Sequence, residues 1–307
     1  MSNLKIAAVI PLYNHVNYVS DAINSILKQD VSVDEIVLID DGSTDGGFGV
    51  ASEILREIPF ARVFSQENAG AHCTLNRAIE LCNSEYIAVL NSDDVFVRTK
   101  ISRCHEIIRS NNNVGLIAGD IGIMDGKGHH VKEGVTIDWL QRSYSYLNDT
   151  NLLQLSLLNE NFIATTSNMV FRKSLWQSSG GFQSLRYCHD LDFLMFAFLN
   201  SDVYYDKGNE HITYRVHDKN TIKENLSKIR IEIAAVMAST IFTSNGELFK
   251  SKSTAAEIRA FRKFIENKNI SNLTLYFLAA FKNFKSRAGF YDHAIDQNYF
   301  EVFAEYL

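Results

Sequence analysis

The chain has 307 residues, 46% of them hydrophobic and 21% charged, with a formal net charge of −6. That length fits one large α/β domain with a buried core plus a smaller appendage, and the acidic balance argues against a general nucleic-acid binder. The N-terminus shows no apolar stretch followed by a small-residue cleavage site. The longest apolar runs, 231–242 and 273–281, fall short of the roughly 20 residues a spanning helix needs. A cytoplasmic protein is therefore expected, and Cys73, Cys82, Cys104 and Cys188 read as small buried thiols without CxxC pairing.

In chain order, residues 6–10 form a short apolar run stopped by Pro11, which predicts a buried strand. Residues 18–27 place Val19, Ala22, Ile23, Ile26 and Leu27 at helical spacing. A second strand, 35–39, ends at Asp40-Asp41-Gly42-Ser43 and is followed by a helix over 48–58. A third strand, 61–64, precedes a helix over 74–81, and a fourth, 86–90, ends at Asn91-Ser92-Asp93-Asp94. A helix over 99–110 and a fifth strand over 114–118 follow. Continuous apolar strands separated by helices imply a mostly parallel sheet covered on both faces.

Between 121 and 151 the pattern breaks up around Gly122, Gly126, Gly128 and Gly134, which suggests an inserted hairpin or loop. Residues 162–171 read as a strand, Gly180-Gly181-Phe182 as a turn, 190–198 as a helix, and 203–205 and 212–216 as strands. Only helical patterns follow, over 222–242, 253–266, 273–285 and 293–306, so a boundary is placed at residue 221.

In open α/β sheets, ligands sit beyond the carboxyl ends of the strands. Four such ends carry polar clusters here: Pro11-Leu12-Tyr13-Asn14, Asp40 to Asp45, Gln66 to Gly70, and Ser92-Asp93-Asp94. Adjacent carboxylates repel one another unless a cation lies between them, and hard oxygen ligands suit Mg²⁺ or Mn²⁺. The alternative for Asp93-Asp94 is a polar loop that caps the helix starting at Thr99. Asp41 can accept a hydrogen bond from a base imide, whereas Ser43 and Asp45 suit a turn and a helix cap.

These segments, in this order and spacing, resemble those of family 2 glycosyltransferases with the GT-A fold, over residues 4–220. The resemblance implies a nucleotide-sugar-binding half (1–120), an acceptor-side half (121–221) and a helical C-terminal region (222–307). It puts Pro11, Tyr13 and Asn14 against the base, with Asp41 bonded to it, and Asn68 and Gly70 along the donor pocket. It gives sugar hydroxyls to Asp93 and the metal, Mn²⁺ or Mg²⁺, to Asp94. Gly180-Gly181-Phe182 followed by His189-Asp190-Leu191-Asp192 is similar to the family's Gly-Gly-Phe and Glu-Asp-x-Asp segments, with His189 standing where the family usually has Glu. Asp190 is then the general base, with a helix N-cap as a compatible second role. Tyr214-Arg215-Val216-His217 resembles a Tyr-Arg-x-His segment whose His completes the metal shell; a structural His is the other reading.

The resemblance thus implies an inverting enzyme moving a sugar from a nucleoside diphosphate, by default UDP, to a hydroxyl of a glycan or lipid-linked acceptor in bacterial surface polysaccharide synthesis. Two rivals are a sugar-nucleotide-forming nucleotidyltransferase, which usually opens with a Gly-rich basic loop that is missing here, and a non-catalytic nucleotide-sugar-binding protein. The basic, aromatic stretches around Phe261-Arg262-Lys263-Phe264 and Phe281-Lys282 suit either a peripheral contact at the inner face of a membrane or packing on the catalytic domain or a second subunit.

Overall fold

The computed structural model of the chain describes residues 4–150, 153–218, 225–244 and 254–307. The boundary expected at 221 and Asn220 lie outside these residues. Two compact units are present. The first draws on Met1–Lys132, Ile163–Gly181 and Ser201–His217, and the second on Glu133–Phe162, Phe182–Asn200 and Asp218–Leu307.

The first unit is built on an eight-stranded sheet. Its strands are β1 (Ile6–Leu12), β2 (Glu35–Asp40), β3 (Ala61–Ser65), β4 (Tyr86–Val89), β5 (Val95–Phe96), β6 (Val114–Asp125), β7 (Val170–Arg172) and β8 (Asp202–Val216), in the spatial order β3-β2-β1-β4-β7-β6-β8-β5. Strands β3, β2, β1 and β4 pair in parallel, as do β6 and β8, while β7 runs antiparallel to both β4 and β6. Two antiparallel steps restore the direction, so β8 points the same way as β1 to β4. The carboxyl ends of β1, β2, β3, β4 and β8 therefore share one edge of the sheet. Ile6 to Ile10, Ile36 to Ile39 and Ile87 to Leu90 are buried, which explains why these strands read as unbroken apolar runs. Helices α1 (Val19–Leu27), α2 (Gly47–Leu55), α3 (Ala71–Leu81) and α4 (Lys100–Ser110) belong to this unit.

Three expectations need correction. The irregular region at 121–151 contains a short hairpin, since β6 continues to Asp125 and Val131 returns to donate its N–H to the carbonyl of Ile123 at 2.9 Å. The remainder is a helix, α5 (Val135–Thr150), which buries Leu140, Ser143 and Leu147 on one face. Ser143 interrupts the apolar spacing; its hydroxyl donates to the carbonyl of Trp139 at 3.0 Å, which hides the helix from a pattern search. The strand expected over 162–171 shrinks to β7. Before it, Ala164 has a positive φ of 67° and Thr166–Asn168 forms a 3₁₀ turn. There the side-chain amide of Asn168 takes the place of a strand, accepting from Gly119 N–H at 3.0 Å and donating to Gly119 C=O at 2.8 Å. Finally, 203–205 and 212–216 belong to one bulged strand, β8, with register shifts near Asp120.

Helix α7 (Lys173–Ser179), also in the first unit, ends at Gly180 with φ 78°, a left-handed stop that favours glycine. A Cβ on Gly181 would lie 2.9 Å from Asn76 Oδ1.

The second unit is helical: α5, α6 (Leu153–Asn159), α8 (His189–Asn200), α9 (Leu226–Thr243), α10 (Ala255–Asn267), α11 (Ser271–Phe281), α12 (Arg287–Ala294) and α13 (Phe300–Ala304). The last expected helix, 293–306, is thus divided between α12 and α13. Asn225 caps α9 by accepting from Lys228 N–H, and Thr254 with Glu257 forms a capping box on α10. Ala234 to Ala238 of α9 are buried. Phe277 and Phe281 of α11 meet Phe290 of α12 with ring centroids 5.6 and 4.6 Å apart. Phe264 and Phe281, drawn from the basic and aromatic stretches, are therefore core residues of this unit, as is Phe277.

Candidate active site

The sheet edge of the first unit carries the polar clusters. Beyond β2, Gly42 has φ 77°, and a Cβ there would lie 3.0 Å from Asn68 N. Only glycine permits this close crossing of two loops. Asp41 is buried, and its carboxylate accepts from Gln66 Nε2 at 2.7 Å, Ala69 N–H at 2.9 Å and Gly70 N–H at 2.9 Å. Asn68 Nδ2 donates to the carbonyl of Asp41 at 3.0 Å. Asp41, Asn68 and Gly70 are thus brought together as one interlocked pair of loops. Asn14, beyond β1, adopts φ 53°; it donates its N–H to Ser43 Oγ and accepts from Thr44 N–H, both at 2.9 Å. Pro11 lies within β1, and the ring of Tyr13 is half exposed.

Asp93 and Asp94 follow β4 and stand in different surroundings. Asp94 is fully buried: Oδ2 accepts from Ser167 Oγ at 2.6 Å and Oδ1 from Arg215 N–H at 3.0 Å. Burial first, and then the neighbouring Asp93 charge, push the Asp94 carboxyl well above the usual carboxylate range. Asp93 instead stands beside His217, with Oδ2 3.0 Å from His217 Nε2 and 4.0 Å from His15 Nε2. His15, Asp93 and His217 offer one ligand atom each, all within 4.8 Å of one another. Asp94 is not part of that group. Which carboxylate of an acidic pair is buried cannot be told from its spacing; here Asp94 is the one bonded by Ser167, a residue 73 positions away.

His217 reaches Asp93 across 124 residues because β8 and β4 end on the same edge. The ring of His15 is held by Ser92 Oγ, 2.9 Å from Nδ1, and the ring centroid of Tyr18 lies 5.8 Å from that of His15 and 5.0 Å from that of His217. Arg215, fully buried, ties these pieces together. It donates Nε–H to the carbonyl of Asp93 at 2.7 Å and NH2 to Asp21 at 2.9 Å, and it lies over the Tyr18 ring. One carboxylate oxygen and two imidazole nitrogens form a donor set that could hold a divalent cation.

Sequence reasoning placed Gln66 in a strand-end cluster without giving it a role, and it passed over His15 and the 165–168 segment. His15 had a signal, since it follows Tyr13-Asn14 at a strand end. The segment 165–168 had none, because its Thr, Ser and Asn side chains serve loops far away in sequence: Asn91 Nδ2 donates to Thr165 Oγ1 at 3.0 Å, and Asn91 Oδ1 accepts from Thr166 Oγ1 at 3.0 Å.

In the second unit, Asp190 occupies the first turn of α8. Its Oδ1 accepts from Leu191 N–H at 2.7 Å, and burial pushes its carboxyl up to about 6. That value suits a group that takes up a proton near neutrality. Asp192 points elsewhere, into the helical core, where Arg287 and Tyr291 hold it. His189 contacts the carbonyl of Leu185 through Nδ1 at 3.2 Å, and burial lowers its imidazole to about 4.

Residues 7–178 match the family model described as "Glycosyl transferase family 2", and the chain belongs to that family. An uncharacterized glycosyltransferase of Rickettsia typhi is 30% identical over 237 residues, which cover 73% of this chain and 68% of that protein. One from Nostoc sp. is 33% identical over 134 residues, 43% of this chain and 41% of its own length; the match thus spans less than half of that relative. The fold is GT-A: S. aureus TarS 1–349, solved in complex with UDP-GlcNAc, superposes with a TM-score of 0.66 over 99% of this chain and 80% of that one, at 18% identity.

Proposed function

We propose that this chain transfers a sugar from a nucleoside-diphosphate donor to an acceptor hydroxyl with inversion at the anomeric carbon. The observation that carries the reading is the convergence of His15, Asp93 and His217 within 4.8 Å at the sheet edge. Asp93 and His217, with His15, would hold Mn²⁺ or Mg²⁺, which when bound neutralises charge developing on the leaving diphosphate. The half-exposed Tyr13 offers a ring face for the base. Asp41 already accepts three protein hydrogen bonds, so we assign it to shaping the donor loop. UDP is the default donor nucleotide, in keeping with the ligand of the S. aureus protein that shares the fold.

Asp190 acts as the general base. Direct displacement requires removal of the acceptor hydroxyl proton as the glycosidic bond to the diphosphate breaks, through an oxocarbenium-like transition state. A carboxyl with its midpoint near 6 is ionised at pH 7.5 and still basic enough to take that proton. A hydroxyl of a glycan or lipid-linked glycan is the acceptor class that family membership favours.

The test is nucleoside diphosphate release from a panel of UDP-, GDP- and dTDP-sugars, with Mn²⁺, Mg²⁺ or EDTA, with and without glycan acceptors. Acceptor-stimulated, metal-dependent release with an inverted product linkage by NMR is expected. Release that ignores EDTA, or a retained anomeric configuration, overturns the reading.

A further inference from the structure

The approach to α8 is held by a group from α9 that no site motif contains. Glu232 is buried. Its Oε1 accepts from Arg186 N–H at 3.0 Å, and Oε2 accepts from Tyr187 N–H at 2.7 Å and Cys188 N–H at 2.9 Å. Three consecutive main-chain donors aimed at one carboxylate form an anion-binding nest, filled here by a side chain 44 to 46 residues away. The helix carrying Asp190 begins at the next residue, His189.

Burying a carboxylate is costly, and burial raises the Glu232 carboxyl above the usual range while the three amides pull it back. A packing role alone would be met by an apolar side chain of the same volume. What the carboxylate adds is direction: three charge-assisted bonds fix the backbone of 186–188. On the other side of Asp190, Asp192 is gripped by Arg287 and Tyr291 of α12. The first turn of α8 is thus held both before and after Asp190 by side chains of the C-terminal helices.

We propose that Glu232 is a positioning residue for Asp190, fixing the entry to α8 so that the base keeps its orientation. This rests on the reading of Asp190 as the base. A misplacement of about 1 Å in a reacting group costs on the order of 100-fold in rate. Glu232→Gln, which keeps the shape but replaces one of the two acceptor oxygens with a donor facing a main-chain N–H, is expected to lower kcat by roughly 10- to 100-fold in the release assay. KM for the donor and the affinity for UDP with Mn²⁺ stay at wild-type values.

Glu232→Asp, shorter by one methylene, is expected to recover part of the lost kcat. A folded Glu232→Gln enzyme with wild-type kcat, or one that loses UDP affinity in parallel with kcat, overturns the proposal. Asp190→Asn in the same assay separates the two readings. If it is active, the base assignment fails; if it is inactive beside a fully active Glu232→Gln, only the positioning role fails. Hydrogen exchange on the wild-type chain decides the matter should Glu232→Gln not fold. The amides of Arg186, Tyr187 and Cys188 are expected among the slowest-exchanging class of the second unit, and exchange at the rate of an open loop overturns the clamp.

Discussion

The two units hold their carboxylates by different means. In the first, Asp41 and Asp94 are secured largely by main-chain amides and short polar side chains of the loops at the sheet edge. In the second, the region around Asp190 is secured by long side chains from helices far along the chain, Glu232, Arg287 and Tyr291. A sheet edge gathers loops by topology alone. A helical unit has no such edge and must use side chains to aim a single turn. Damage to the first unit should therefore reach nucleotide and metal binding, and damage to the second should reach turnover.

The largest expected effect is at Asp190. Asp190→Asn should reduce transfer by about 10²- to 10⁴-fold while UDP binding, measured by titration with Mn²⁺, stays unchanged; a matching loss of UDP affinity would erase the contrast between the units. Next, His217→Ala should weaken Mn²⁺-dependent UDP binding by more than Ser92→Ala, for which about 10-fold is expected of an outer partner that orients a ligand ring. Equal effects would remove His217 from the metal shell. Arg215→Met should cost about 3 kcal/mol of stability, read from the urea midpoint, because the carbonyl of Asp93 loses a buried donor. Gly42→Ala should cost about 1–3 kcal/mol through its positive φ and the contact with Asn68 N.

Two pH dependences sharpen the same contrast. Burial raises Asp190 to about 6, so with Asp190 as the proposed base kcat should fall as pH drops through that value. In the first unit, Lys100 is fully buried, donates to the carbonyl of Ser167 at 2.6 Å, and is lowered by burial to about 7. Above that value the folded state releases the proton while the unfolded chain keeps it until near the ordinary lysine pKa of about 10.4. Stability should therefore rise with pH from about 7 upward. Denaturant midpoints at pH 7 and 9 check this, and Lys100→Met should flatten the slope.

Much of the first unit was legible in the sequence because its strands are buried on both faces, and burial writes itself as an apolar run. The sheet-edge clusters followed from that, since each lies one step beyond such a run. The burial of Asp94 and the placing of Asp93 beside His217 were not legible. They depend on which side chain Ser167 and Arg215 capture, and neither lies near the pair in sequence. Helix α5 was hidden for a local reason, because Ser143, satisfied by the carbonyl of Trp139 four residues earlier, occupies a core position. Glu232 carries no signal in the sequence, because only the folded chain places three amides around it.

The interlocked loops at Gly42 and Asn68 carry a kinetic consequence. Because Asp41 already grips the amides of Ala69 and Gly70, this wall is preorganised, and a ligand arriving there has little loop entropy to quench. Nucleotide association in stopped-flow fluorescence should then run as one phase, linear in ligand concentration, without a slower unimolecular step from loop ordering at this wall.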